Sequence, residues 1–217
     1  MSSESVPEPS AEALRTQIDQ MADKTVQMLK LVRDAFARVD RKPLEPAARL
    51  GREIHQLDRV LLASLLSGDD ARRSEAVFIP MHLERIGDNI EALAAETGGM
   101  ISHGVLFTDR AVREIANLFG LATDLLESVR DALRTLNRTL ISHALGEGAQ
   151  IEALADEYAL SHQKRLIEGV CVPKASSAFV AMLDHLKGVE WHAREVAGRL
   201  ASASLPADGQ DRRRWQP

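Results

Sequence analysis

Apolar residues recur through this chain at spacings that alternate between four and three. Leu14, Ile18, Met21, Thr25, Met28, Val32, Ala35 and Val39 form the first such seam, with Thr25 as its one polar member. A seam of this period places one apolar stripe on a helix that must be covered by other helices. Similar seams follow in Leu50, Ile54, Leu57, Leu61 and Leu65, and in Ile79, Leu83, Ile86, Ile90 and Leu93. No segment alternates at period two, and aromatic residues make up only 4% of the chain. The fold class is therefore all-α.

The pattern then restarts. Leu118, Ala122, Leu125 and Val129 repeat Leu14, Ile18, Met21 and Thr25 at an offset of 118 − 14 = 104. Leu186, Val189, Ala193 and Val196 repeat Leu83, Ile86, Ile90 and Leu93 at an offset of 186 − 83 = 103. Agreement between two separate helix pairs points to an internal duplication: six helices in two tandem antiparallel three-helix bundles. The expected organisation is a disordered N-terminus over 1–9, bundle 1 over 10–100, bundle 2 over 108–203 and a disordered tail over 204–217. Within it, Pro43 and Pro46 separate the first two helices. SGDD (67–70) ends the second, and the third runs from Asp70 through a kink at Pro80 to a stop at Gly98–Gly99. The fourth is seamed as far as Leu136. The fifth begins after GEG (146–148) and ends near Gly169, and the sixth starts near Ser177.

Charge and cysteine content narrow the function. The net charge is −5 and the pI about 5.8, so no global basic field exists to attract nucleic acid. The clusters Arg72–Arg73 and Arg212–Arg214 are too small to change that. Cys171 is the only cysteine, which rules out intrachain disulfides and suits a small buried hydrophobe. There is neither a signal-peptide pattern nor an apolar run long enough to span a bilayer, so the expected location is cytoplasmic.

One string departs from helix filler: HLERIGDNIEALAAE, from His82 to Glu96. At about 100° per residue, Glu84 and Asp88 lie off the Leu83 seam and one turn apart. Stacked like charges repel, Asp is a weak helix former, and Gly87 costs about 1 kcal/mol against Ala. A cation bridging the two carboxylates would remove the repulsion, and a small residue at 87 would let a neighbouring helix approach. The alternative is a solvated charged face. On the second helix, His55 and Asp58 lie i,i+3 apart. They either complete a site with Glu84 and Asp88 or join a surface ion-pair set with Arg52, Arg59 and Arg85. His162 falls on the core side of the fifth helix.

The string Leu83-Glu84-Arg85-Ile86-Gly87-Asp88, with Ala94 and Glu96 following, resembles the signature of the PhoU family of phosphate-uptake regulators. HQKRLIEGV (162–170) and SSAFVAMLDHL (176–186) are similar to the PhoU-like domains of sodium/phosphate cotransporters. The resemblance covers roughly residues 10–202. It implies a PhoU-like pair of three-helix bundles and a non-enzymatic regulator of phosphate transport or signalling. Such a regulator binds a membrane phosphate transporter or sensor, peripherally at the inner face of the membrane. It also implies a surface divalent, iron or zinc ion on Glu84 and Asp88, with His55 and Asp58 as further candidates.

In the second half, the repeat sets Lys187 at Glu84, Glu190 at Gly87 and Trp191 at Asp88. An ammonium and an indole hold no cation, so the second site is expected to be missing, or rebuilt from Glu190, His185 and His192. Trp191 becomes a candidate partner-binding residue, or else lies flat on Lys187 or Arg194. Two other readings stay open. One is a metal-free adaptor or dimerisation module, with a homodimer as its partner state. The other is a carboxylate-bridged metalloenzyme, against which stands the absence of any Glu-x-x-His pair.

Overall fold

The computed structural model describes residues 11–66, 77–170 and 173–203. The lead-in 1–9, the SGDD turn, the stretch 70–76 with Arg72–Arg73, Cys171 and the tail with Arg212–Arg214 lie outside the described residues. Six helices are described: α1 (Ala11–Arg38), α2 (Leu44–Leu66), α3 (Phe78–Ser102), α4 (Asp109–Thr135), α5 (Arg138–Ile167) and α6 (Pro173–Ala203). α1, α2 and α3 pack on one another, and α4, α5 and α6 do the same. The two three-helix bundles are themselves joined, α3 lying along α6 and α1 along α4. One continuous apolar core results, running from Met21, Leu29 and Ile54 through Ile90 and Leu118 to Phe179 and Val196.

The seams form this core. Met21, Met28, Val32, Leu83, Ile86, Ile90, Leu118, Ala122, Leu186 and Val189 are fully or almost fully buried. Thr25 is buried too, and its hydroxyl donates to the Ala22 carbonyl at 2.8 Å, so the polar intruder meets its need inside its own helix. The final seam positions behave differently. Val39 and Leu136 are exposed and take the left-handed conformation at φ 51, where their helices end. The Leu136 N–H returns to the Ala132 carbonyl at 2.8 Å, and Asn137 Oδ1 at once caps α5 by accepting from Thr139 N.

Several helix boundaries differ from expectation, each for a physical reason. Pro46 lies in the first turn of α2, where a missing N–H costs nothing. Pro80 likewise sits in the first turn of α3 as described from Phe78, and the expected run from Asp70 that would carry the kink lies outside the described residues. Gly98 and Gly99 do not stop α3. The chain turns at Gly104 (φ 59), with His103 N bonded to Gly99 O and Val105 N to Met100 O. α5 starts at Arg138, eight residues before Gly146, and carries GEG within it. α6 starts at Pro173, a residue suited to a first helical turn.

Candidate functional site: an imidazole and carboxylates between α2 and α3

The glycine of the distinctive string is matched to what α2 brings against it. Gly87 is buried against Ile54, whose Cγ2 would stand 3.3 Å from a Cβ at that position. Opposite, a Cβ on Gly51 of α2 would collide with the carboxylate of Glu91. The two helices therefore approach closely, and α2 delivers His55 and Asp58 to the side of α3 that bears Glu84 and Asp88.

Four groups converge there. His55 Nδ1 lies 3.3 Å from Glu84 Oε1, while its Nε2 lies 3.4 Å from Glu91 Oε1 and 4.0 Å from Asp88 Oδ1. His55, Glu84 and Asp88 each offer a ligand atom within 4.8 Å of the others, the one group of three among the described residues to do so. Burial pushes the Glu84 carboxyl above its usual range, and neighbouring Asp88 adds to the shift. Burial likewise raises Asp58, against the pull of His55 and Arg85. The Oδ1 of Asp58 is buried and accepts no hydrogen bond.

Arg85 provides a resident positive charge, 3.1 Å from Asp88 Oδ2 and 3.8 Å from Glu84 Oε2. The residues fit a cation nonetheless. Carboxylates with one imidazole suit Mn, Fe or Zn, and the unsatisfied Asp58 oxygen is a further acceptor without a donor. Glu91 is placed to hold the far nitrogen of His55, as carboxylates do behind metal-bound histidines. Glu91 was not singled out from the sequence, although it follows Asp88 by three residues.

The second bundle is built otherwise. Glu190, the counterpart of Gly87, is 1% exposed and presses on Gly148 of α5. The small and large partners have thus changed helices: glycine on α3 against isoleucine on α2 becomes glutamate on α6 against glycine on α5. Burial raises the Glu190 carboxyl to about 7 despite Arg194, whose Nε lies 2.9 Å away. Lys187, the counterpart of Glu84, pairs with Asp156 at 2.7 Å. Glu190, His185 and His192 do not come together.

Trp191 is 47% exposed, with its ring edge-on to His82 and His192 rather than flat on Lys187 or Arg194. His162 is buried as expected and stacks on Phe179 at 4.4 Å between ring centres. His82 was not foreseen. It is buried on α3 and meets His192 across the bundle junction. Burial lowers both imidazoles, His192 to about 4. The sequence signal for this pair is two histidines 110 residues apart in helices assigned to different bundles.

The architecture and the acid pair can now be compared with known proteins. The PhoU domain family model matches residues 18–97, which span α1, α2 and α3 with the site. Over those residues the chain resembles a PhoU domain. Its fold is similar to PhoU from Pseudomonas aeruginosa, with a TM-score of 0.80 and 15% identity, covering 87% of this chain and 94% of that one. It is also similar to the phosphate transport system regulatory protein PhoU from Streptococcus pneumoniae, with a TM-score of 0.75 and 14% identity, over 88% and 92% of the two chains. A PhoU-like protein from Shewanella oneidensis aligns with a TM-score of 0.57 and 16% identity, over 87% and 99%. No curated protein matches the sequence. The PhoU domain match ends before α4, so the degenerate acid pair lies in the part of the chain that only the fold relates to PhoU.

Proposed function

We propose that this PhoU-like chain is a non-enzymatic regulator of phosphate transport or phosphate signalling that acts by binding a membrane transporter or sensor. The observation that carries this reading is the PhoU domain match over residues 18–97, containing the Glu84–Asp88 pair beside His55. A rigid helical surface suits coupling to a partner better than chemistry. Contact with the transporter would be peripheral, from the cytoplasmic side, and no described helix is long and apolar enough to cross a membrane. In this reading one divalent, iron or zinc ion sits on Glu84, Asp88 and His55, with Asp58 at the margin and Glu91 orienting the imidazole. The ion joins α2 to α3 and neutralises an acidic cluster on a face open to a partner.

Two measurements test the proposal. Metal content by mass spectrometry should approach one ion per chain in wild type and fall to background in Glu84→Ala with Asp88→Ala. Deletion of the gene should alter phosphate uptake, and affinity capture should recover a phosphate transporter or sensor. Unchanged uptake together with only unrelated partners would refute the regulatory reading. A metal-free adaptor is the second reading, favoured by Arg85, which already answers the charge of Asp88. Background metal in the wild type with intact partner binding would select it.

A further inference from the structure

His82 on α3 and His192 on α6 turn their Nδ1 atoms toward each other at 3.0 Å. His82 is 4% exposed, and the edge-on ring of Trp191 packs against both imidazoles, at 5.8 Å from His82 and 4.7 Å from His192. We propose that this pair is a second metal site, separate from the acid cluster. It would take a late first-row transition cation such as Zn(II), Ni(II) or Cu(II), held by the two imidazoles with water in its remaining positions, since no third His, Cys, Asp or Glu among the described residues brings a ligand atom within 4.8 Å of both.

Neutral imidazole nitrogen is a preferred donor for these ions and a poor one for Mg(II) or Ca(II). A tetrahedral ion bound at about 2.0–2.1 Å holds two nitrogens about 3.3 Å apart. The existing separation therefore needs to open by only a few tenths of an ångström. Both rings are desolvated, which favours the neutral, ligating form. In the metal-free pair one Nδ1 carries the shared proton. On binding, that proton moves to the Nε2 of the same ring and both Nδ1 lone pairs face the ion.

Glu195 follows His192 by three residues on α6 and faces both imidazoles electrostatically. The charges facing the pair are the anions Glu195 and Asp88 and the cations Arg85 and Arg199. Arg199 is held over the Phe78 ring at 4.2 Å. An ion here would tie α3 to α6 where the two bundles join.

The sequence holds two tryptophans, so full-length protein carrying Trp215→Phe reports on Trp191 alone. Cu(II) should quench that fluorescence saturably near one equivalent, and Zn(II) or Ni(II), but not Mg(II), should restore it by competition. The quench should persist when Glu84→Gln and Asp88→Asn are added. His192→Gln should weaken it at least tenfold, and His192→Cys should retain it. Quenching that survives His192→Gln, or that disappears with the acid-pair variant alone, would overturn the proposal. Circular dichroism checks the fold of each variant. If His192→Gln proves unfolded, the Zn(II)-induced rise in melting temperature decides. A rise in both the parent and His192→Cys supports the site, and no rise in either overturns it.

Discussion

Gly51 on α2 and Glu91 on α3 are complementary: the missing side chain of the one leaves the space occupied by the carboxylate of the other. From there Glu91 reaches the Nε2 of His55 at 3.4 Å and leaves Nδ1 facing Glu84. Gly51→Ala should expel the Glu91 carboxylate while sparing the fold, because alanine gains helix propensity of up to about 1 kcal/mol. Loss of a carboxylate behind a metal-bound histidine weakens binding about 10- to 100-fold. Isothermal titration should therefore show metal affinity falling by about that factor, with the urea midpoint unchanged or raised.

Two glycines in α5 should respond in opposite directions to the same substitution. Gly146 is exposed and a Cβ there meets nothing within 4 Å. Gly146→Ala should stabilise the protein by about 0.5–1 kcal/mol. Gly148 is buried, and a Cβ would stand 2.8 Å from Glu190 Oε1 and 3.3 Å from Arg194 Cδ. Gly148→Ala should destabilise by about 1–3 kcal/mol, because a buried glutamate has no free space to retreat into. Denaturant unfolding of the two variants side by side checks both signs.

Glu114 and Arg165 form a buried ion pair between α4 and α5, with Arg165 NH2 2.6 Å from Glu114 Oε2 and NH1 2.9 Å from Oε1. Removing the acid leaves a guanidinium inside the second bundle without its main counter-charge. Glu114→Ala should cost about 3–5 kcal/mol in chemical denaturation. Lys187 and Asp156 are a far more exposed pair, so Asp156→Ala should shift the unfolding midpoint very little.

His162 should contribute to acid sensitivity. Burial lowers its affinity for a proton below that of a free imidazole at 6.5, and Arg165 adds to this, opposed by Glu114. The folded state thus binds fewer protons here than the unfolded chain. Stability from this residue is complete above about pH 6.5 and declines as the pH falls toward the lowered folded value. Melting temperatures between pH 7.5 and 5 should fall more steeply in wild type than in His162→Gln.

The sequence made the architecture legible because burial of a helix imposes a period that survives divergence. Met21, Leu83, Leu118 and Leu186 reveal it at once. Glycine misled the boundary assignments at Gly98–Gly99 and at GEG because one glycine of each pair answers to a tertiary neighbour, Gly98 to Leu44 and Gly148 to Glu190, while Gly99 and Gly146 are simply carried within their helices. The acid pair was visible as spacing along one helix. His55 was ambiguous, since i,i+3 spacing on α2 says nothing of which flank meets α3. Glu91 and His82 went unnoticed because their partners, Gly51 and His192, come from other helices and carry no local pattern.

The unbroken core has a consequence for how this molecule can be dissected. Cutting the chain in the connection between Ser102 and Asp109 would bare the flanks of α3 and α6 and of α1 and α4, which cover each other in the intact protein. Each fragment would be left with a sticky apolar wall on one side. The sequence repeat describes an ancestry of two halves, whereas the folded chain should melt as one and fail as one.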